Sequence, residues 1–338
     1  LVGNLTQIVN PNQTETTVAY DKVYRTLERI NRQVTNGGKT NSGFRYTYNE
    51  VGHITEAIKE YGWRKPSVVT ETYEYDGLHR LAYMSLFPLK KNGGTVETAY
   101  SYDPVGNRLS WESNDDLRTN TPFDGFYRSY EYNAANQMLA AENAADKKKN
   151  DFVAEYSFDD NGNRIGRQLF DYRNRLKKGT DYGYDAENRL TSVQDWKMHG
   201  RKRKNSALTA MQYDGGGRRT VKTFVPKVDY KNSPRAITRY VFDGLDPIAE
   251  YDTLKGKEER TDYYRGAGNH SALMHHYRGR DRRGKMYWYH YNNKGDAVGL
   301  TKHNGNSHHT YRYDPYGGLI SRKGGFPGND YTLTGKEF

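Results

Sequence analysis

Aspartates that recur along the sequence are the first candidates for chemistry. Asp103, Asp159 and Asp314 each follow an aromatic residue, and paired carboxylates could act as general acid and base. Such catalysis needs two carboxyl groups that converge at a defined separation. Each aspartate instead opens its own segment rich in Gly or Asn, where an Asp side chain typically accepts hydrogen bonds from nearby backbone N–H groups and initiates a turn. The sequence therefore favours turn-forming aspartates, and we assign no catalytic residue.

Two histidine pairs and one glycine run could bind a metal or a phosphate. Adjacent residues of a strand point to opposite faces, so His275-His276 and His308-His309 each offer one ligand to a given site. No further ligand stands at typical zinc spacing, and surface histidines are expected. The run at 215–217 lacks the Gly-Lys-Ser/Thr ending and the following helix of a phosphate loop, so we expect a turn there. We predict no metal, no cofactor and no enzymatic activity.

The composition favours an extended all-β protein. Only 34% of the 338 residues are apolar, 28% are charged and the mean hydropathy is −1.06, which is typical of disorder. Aromatic residues, however, reach 14% and include 31 tyrosines, which suit strands and bury a ring beside a polar hydroxyl. The sequence contains no cysteine, which excludes disulfides and thiolate metal sites. No apolar run approaches the ~20 residues that span a bilayer.

The chain is basic, with a net charge of +11 and a pI near 9.3. A nucleic acid or an anionic surface could account for this charge. The charge is nevertheless spread along the whole chain, and its densest clusters, at 147–149 and 201–204, lie between repeats where solvated loops are expected. We therefore do not expect a nucleic-acid partner. The tyrosines with interleaved arginines could also stack on a sugar or a single strand, although the same side chains are needed to pack the sheet.

One pattern recurs from end to end and is clearest as Tyr-Ser-Tyr-Asp-Pro-Val-Gly-Asn-Arg-Leu over 100–109. The second aromatic of successive copies falls at 48, 75, 102, 132, 158, 184, 213 and 242, which is a spacing of 26 to 30 residues. An outlying copy begins at Tyr20, and Tyr264 could mark a degenerate one. The predicted structural positions of the repeat are Tyr46, Tyr48, Gly52, Tyr73, Tyr75, Asp76, Gly77, Tyr100, Tyr102, Asp103, Gly106, Asn107, Arg108, Leu109, Tyr130, Tyr132, Tyr156, Phe158, Asp159, Gly162, Asn163, Tyr182, Tyr184, Asp185, Tyr213, Asp214, Tyr240, Phe242, Asp243, Tyr289, Tyr291, Tyr311, Tyr313, Asp314 and Gly317.

Each copy predicts a β-hairpin. Aromatic-x-aromatic places both rings on one face of a strand, Asp or Asn opens a turn, and Gly tolerates positive φ. Arg-Leu restarts a strand with Leu on one face and Arg on the other, and polar loops of about 8–14 residues return the chain. We expect the Tyr-x-Tyr face to be the better buried one. Repeated hairpins must pair edge to edge, and because strands twist, so long a sheet must curl. Almost no helix is expected, and the Ala-rich segment 133–148 is predicted as hairpin plus loop.

These copies resemble the YD repeats of RHS-repeat proteins, a family that includes bacterial RHS toxins, the BC components of Tc toxins and animal teneurins. The resemblance covers essentially residues 1–338. It implies that the repeats form a long curved or spiral β-sheet that is part of a hollow shell, the β-cocoon. In bacterial members the shell encloses a C-terminal toxin until delivery, and in teneurins it serves adhesion.

The resemblance also sets expectations for the ends of the sequence. Residues 2–6 look like the second half of a repeat, and 334–338 look like the lead-in to the family's core-closing segment. We therefore expect one repeat segment over 1–338, truncated at both ends, with 323–338 as the lead-in. The self-cleavage aspartates of the family would then lie outside this chain.

Two functions follow from the resemblance. The first is a structural one, a shell segment of a polymorphic toxin that is secreted or injected by a bacterial secretion system. Its partners would be the remainder of the shell, the enclosed C-terminal toxin domain and a secretion or injection apparatus, with no membrane-spanning segment of its own. The alternative is a YD-repeat surface protein that binds a glycan or a protein for adhesion or recognition.

Overall fold

The computed structural model of the protein describes residues 3–35, 37–62, 67–87, 95–113, 129–143, 152–228, 235–254, 256–266, 271–279, 281 and 283–324. Within these ranges the chain forms 25 β-strands and no helix, so none of the described segments is a helix that could cross a membrane. The all-β prediction is confirmed.

The strands follow one another along the chain in short runs. They are β1 Gln7–Asn10, β2 Thr14–Tyr20, β3 Thr26–Gln33, β4 Thr40–Tyr48, β5 Ile54–Tyr61, β6 Ser67–Tyr75, β7 Leu81–Phe87, β8 Val96–Tyr102, β9 Arg108–Ser113, β10 Ser129–Tyr132, β11 Met138–Asn143, β12 Phe152–Phe158, β13 Arg164–Asp171, β14 Leu176–Tyr184, β15 Leu190–His199, β16 Lys202–Tyr213, β17 Arg219–Val225, β18 Ala236–Asp243, β19 Asp246–Leu254, β20 Lys257–Arg265, β21 Ser271–Arg278, β22 Lys285–Tyr291, β23 Ala297–Lys302, β24 Ser307–Tyr313 and β25 Leu319–Lys323.

The sheet is a continuous antiparallel meander. Every strand from β1 to β25 pairs with the next one along the chain, from Gln7 opposite Thr17 at the start to Tyr313 opposite Leu319 at the end. The weakest junction is between β9 and β10, where Ser110 pairs with Ser129 alone. The hairpin prediction is therefore confirmed. The predicted return loops are shorter than expected, because most residues between copies continue the strands: β13 and β14, for example, are joined by a turn over 171–175.

The two faces of the sheet differ in burial, as predicted, through most of the chain. We call the side that carries the motif rings the aromatic face. Tyr46 and Tyr130 are buried there, whereas Thr47 and Glu131 between the rings of their copies are exposed. The alternation is lost where consecutive residues are all buried, at 14–16 in β2, 41–44 in β4, 261–263 in β20 and 287–291 in β22.

In the clearest copy Arg108 and Leu109 lie on opposite faces, and Arg108 rather than Leu109 is on the aromatic face. The register slips at the end of each motif strand, so that Tyr102 stands opposite Arg108. Residues directly opposite one another share a face, and the bulge therefore places Arg108 among the tyrosines. Leu109 points to the other side and is 40% exposed. Leucine does pack with the rings in copies that are one residue shorter, where Tyr75 stands opposite Leu81.

The sheet is rolled, and its last hairpins lie against the aromatic face of its first ones. Asn12 Nδ2 donates a hydrogen bond to Thr301 Oγ1 over 2.9 Å, and Gln33 Nε2 donates one to the carbonyl of Gly305 over 2.9 Å. Val298 packs in one cluster with Phe44. The residues joined by the two hydrogen bonds are 289 and 272 positions apart in the sequence. The sheet therefore curves back on itself.

The orientation of the inner layer follows from the register. Thr301 stands opposite Trp288, so both lie on the face of the inner layer that is opposite to Tyr289. The inner layer thus presents its non-aromatic face to the aromatic face of the outer layer. That stacking buries both sides of β22 and explains why His290 is only 2% exposed.

Candidate functional site

Each repeat contains a five-residue turn with a fixed pattern of backbone hydrogen bonds. We number the turn from the residue after the second aromatic, so that in the clearest copy Asp103 is position 1, Gly106 is position 4 and Asn107 is position 5. The N–H of position 1 donates to the carbonyl of position 5, and the N–H of position 4 donates to the carbonyl of position 1. Within the described residues this pattern occurs in twelve turns, which begin at residues 21, 49, 76, 103, 133, 159, 171, 185, 214, 292, 302 and 314.

The carboxylate at position 1 binds inside its own turn, as its spacing predicted. Oδ1 of Asp214 accepts the N–H groups of Gly216 and Arg218, over 2.9 and 3.0 Å, and Oδ2 accepts Nε of Arg218 over 2.7 Å. These hydrogen bonds hold the pKa of Asp214 below its ordinary value. In the turn at 171–175 the Arg175 side chain lowers the pKa of Asp171 to about 2. The repeat aspartates are thereby occupied in turns, and the glycine run at 215–217 forms one of them.

Successive turns are also linked to one another. Arg80 at position 5 donates Nη1 to the carbonyl of Asp103 over 2.7 Å and lies 4.7 Å from the centre of the Tyr102 ring. Arg189 makes the same contacts with Asp214 and Tyr213. The turns therefore form a ladder along one rim of the sheet, in which each arginine couples a repeat to the next.

The second aromatic explains why tyrosine is used so often. Tyr102 donates its hydroxyl to the carbonyl of Leu81, the residue that follows the turn of the preceding repeat, over 2.7 Å. Eight tyrosines donate to the equivalent carbonyl of the repeat before them: Tyr20, Tyr48, Tyr75, Tyr102, Tyr132, Tyr184, Tyr213 and Tyr313. Each of these hydroxyls thus joins its repeat to the preceding one by a hydrogen bond.

One copy departs from this arrangement. Asp243 was expected to open a turn like the others, but it stands directly opposite Asp246, and a tighter turn with Gly244 at φ 59° closes the hairpin. Two turns were missed in the sequence, at 171–175 and 302–306. The first carries the signal Asp-x-x-Asn-Arg-Leu, which could have been found, whereas the second begins with a lysine.

The rolling of the sheet creates a cavity of ≈ 590 Å³ between the aromatic face of β4–β7 and the turns 292–296 and 314–318. Its walls carry motif rings from four copies, among them Tyr48, Tyr75, Tyr102 and Tyr313. Tyr316 closes one side, since its ring centre lies 5.2 Å from that of Tyr100 and its hydroxyl meets that of Tyr102. Repeats far apart in sequence are thus brought to one place.

A buried ion pair lies beside this cavity. Lys59 Nζ is 2.7 Å from Glu71 Oε2, and the two side chains are 17% and 4% exposed. Burial lowers the pKa of Lys59, but the Glu71 carboxylate outweighs it, so that the pKa is raised overall. Tyr73 donates its hydroxyl to the same carboxylate, and burial together with Glu71 raises the pKa of Tyr73 well above its ordinary value. The Lys59–Glu71 pair has no net charge, and it places polar groups on the aromatic face next to the cavity.

The prediction of surface histidines is wrong. His275, His276 and His309 are 8%, 6% and 1% exposed, because β21 and β24 belong to the rolled end of the sheet. The nitrogens of His275 contact the Arg283 carbonyl and the Tyr277 hydroxyl, each over 2.8 Å. Among the described residues no group of three or more His, Asp, Glu or Cys could hold a metal.

Only part of the two basic clusters and of the lead-in segment lies within the described residues. Residues 201–204 are exposed as expected, but they do not form a loop, because Lys202 begins β16 and pairs with His199 of β15. The cluster at 147–149 and most of the lead-in, from 325 onward, lie outside the described residues.

The chain is similar in sequence to a small part of two proteins from Bacillus. No family model matches the chain. Over 227 residues the chain is 27% identical to the tRNA3(Ser)-specific nuclease WapA of Bacillus spizizenii and to the tRNA nuclease WapA of Bacillus subtilis. The match covers 67% of this chain but 8% of the length of each relative.

Two of the similar solved structures come from Tc toxins. The crystal structure of TcdB2-TccC3-TEV is 14% identical with a TM-score of 0.44, and the match covers 99% of this chain and 18% of that one. The Tc holotoxin pore of Photorhabdus luminescens is 14% identical with a TM-score of 0.34, over 92% of this chain and 18% of that one.

Proposed function

We propose that this chain, a YD/RHS-repeat protein, is a segment of the wall of a hollow shell that encloses a C-terminal toxin or effector until delivery. The observation that carries the proposal is the rolled sheet. Because the last hairpins lie on the aromatic face of the first ones, that face is the concave side. A sheet of hairpins that curves steadily in one direction, extended by further repeats, encloses a volume.

The wall acts by containment, and the chain itself performs no catalysis in this proposal. The nuclease activity in the names of the WapA relatives would belong to parts of those proteins outside the matched 8%. The partners would be the remaining repeats of the shell, the enclosed polypeptide and a bacterial secretion or injection apparatus, which would place the protein outside the producing cell.

Electron cryo-microscopy of a longer polypeptide that contains this chain and its flanking sequence tests the proposal. We expect a closed hollow particle with additional density inside, and we expect the enclosed polypeptide to resist added protease until the particle is denatured. An open sheet or rod without a lumen, or cargo cleaved as fast in the native particle as in the denatured one, would overturn containment. Surface recognition by the aromatic face would then be the better explanation.

A further inference from the structure

Three lysines lie side by side on the aromatic face near the end of the β15–β16 hairpin. Lys178 stands directly opposite Lys197, and Lys197 stands directly opposite Lys204, across the adjacent strands β14, β15 and β16. Residues opposite one another share a face and lie about 5 Å apart. Tyr182 is four residues from Lys178 on β14, which places all three on the aromatic face. We call Lys178, Lys197 and Lys204 the lysine row.

The positive charge of the lysine row is not balanced by carboxylates. None of its members forms an ion pair with another described residue, and Asp195 is the single carboxylate on this face of β14–β16. Asp195 already accepts the hydroxyl of Thr180 over 2.7 Å. Burial lowers the pKa of Lys178, and the charges of Arg167 and Lys197 lower it further, against the effect of Asp195. Because like charges directly opposite one another destabilise a sheet, a ligand that neutralises them is favoured.

The other face of the same strands fixes the backbone beneath the lysine row. Trp196 is 3% exposed and packs on Gly179, where a Cβ would collide with its ring. Trp196 Nε1 donates to Asp181 Oδ1 over 2.9 Å. The Arg203 guanidinium, which is paired with Asp181, lies 4.5 Å from the centre of the Trp196 ring. The lysine backbones are therefore in place before a ligand arrives, and only their flexible side chains need to be ordered on binding.

We propose that the lysine row binds an acidic segment of the enclosed polypeptide. The inference rests on the proposed containment function, which places that polypeptide on the concave, aromatic side of the wall. Lys197 and Lys204 are exposed there, and alternate carboxylates of an extended peptide recur every ~6.8 Å, within reach of long lysine side chains. A single-stranded nucleic acid would need rings on which its bases stack, and Trp196 of this hairpin is buried on the other face.

Fluorescence anisotropy with the chain and a labelled peptide of alternating Glu and Ala tests the site. We expect the peptide to bind at low ionic strength and to dissociate as salt is added. It should bind more tightly than the same peptide with Gln in place of Glu. The triple variant Lys178→Gln, Lys197→Gln and Lys204→Gln should bind the Glu peptide about tenfold more weakly.

The matched control removes three exposed lysines that lie elsewhere, by Lys22→Gln, Lys257→Gln and Lys323→Gln. It lowers the net charge by the same amount, so it should leave the affinity for the Glu peptide nearly unchanged. In thermal melting at low ionic strength without peptide, the lysine-row variant should be at least as stable as this control, because its opposed like charges are gone.

Four results would overturn the acidic-peptide site. The Glu and Gln peptides bind equally; or the two triple variants weaken binding equally; or the lysine-row variant melts well below the control; or an oligothymidylate of the same charge binds through the row more tightly than the Glu peptide. The last result would identify a nucleic-acid site instead.

The outcome of this test is separable from that of the containment test, because the peptide measurements use the chain alone. A closed particle in electron cryo-microscopy, together with no peptide binding, would remove this inference and leave containment standing. An open particle, together with peptide binding through the lysine row, would remove containment and leave the row as a site for an acidic peptide from another source.

Discussion

At the scale of the residue, the repeat depends on tyrosine hydroxyls and turn carboxylates that join neighbouring parts of the sheet. The hydroxyl of Tyr213 donates to the carbonyl of Leu190 in the preceding repeat over 2.7 Å, and Asp214 binds the backbone of its own turn. The sequence correctly indicated that the aspartates form turns. It could not indicate the hydroxyl bonds, because those join residues 15 to 24 positions apart whose alignment depends on strand register.

Tyr213→Phe removes one cross-repeat hydrogen bond without changing the ring. We expect the free energy of unfolding to fall by about 1 kcal/mol, because the Leu190 carbonyl loses a partner. Chemical denaturation of the two proteins measures the difference. The reciprocal change is Phe158→Tyr, which supplies a hydroxyl where the natural repeat has none, and it should not destabilise. Equal stability of Tyr213→Phe and the natural protein would contradict the role of the hydroxyl.

Asp214→Ala leaves two backbone N–H groups and one arginine of its turn without their acceptor. We expect a clear fall in the denaturation midpoint. Asp243→Ala is the control, because Asp243 occupies the same motif position but closes a different, tighter turn. If both alanine variants lose the same stability, the turn carboxylates have no special role.

At the scale of the element, the unit is a hairpin whose turn fixes the strand register. Position 4 of the turn has positive φ in each copy, with Gly, Asn, His or Tyr there, as at Gly106 (97°), His79 (65°) and Asn188 (59°). Hairpins and turns were predictable because the aromatic-x-aromatic-Asp motif is local in sequence. The face on which Leu109 lies was not predictable, because it depends on a one-residue bulge in the pairing of Tyr102 with Arg108. The motif itself does not show that bulge.

The turn geometry predicts how position 4 of the copy at 214–218 responds to substitution. Gly217 has φ 78° and open space where a Cβ would stand, so conformation alone decides the cost. Gly217→Val should destabilise by about 1–2 kcal/mol, because a branched residue is strained at positive φ. Gly217→Asn should be nearly neutral, since Asn occupies this position at 136 and 188. Thermal melting of the two variants measures the contrast, and equal losses would contradict it.

At the scale of the whole molecule, rolling places the last hairpins inside the first. Curvature was predictable from the length of the sheet, but the contacts were not, because Asn12 and Thr301 carry no signal that they would meet. The same overlap buries histidines that local sequence placed at the surface. His290 donates or accepts at Thr301 Oγ1 over 2.8 Å, and burial together with the charge of Arg29 lowers its pKa to about 3.

The buried histidine makes stability depend on pH in a defined direction. The pKa of His290 is about 3 in the folded chain, against about 6.5 when unfolded, so the unfolded state binds the proton more readily. Its contribution is complete above about pH 6.5 and falls by about 1.4 kcal/mol per pH unit as the pH drops towards 3. His290→Gln can still bond Thr301 but cannot take up the proton. Urea denaturation between pH 8 and 5 should give a shallower decline for His290→Gln, and parallel curves would contradict a buried, neutral His290.

Chemical cross-linking within one molecule tests whether the sheet rolls back onto its first hairpins. The sequence contains no cysteine, so Val34→Cys with Asn306→Cys creates a unique pair of exposed thiols beside the contact that Gln33 makes with Gly305 and Asn306. A short bismaleimide should join the two cysteines within one molecule at high yield, and mass spectrometry of the digested protein should find the linked peptides. Absence of the intramolecular link, while each single-cysteine variant reacts fully with the reagent, would show that the sheet does not curl back on itself.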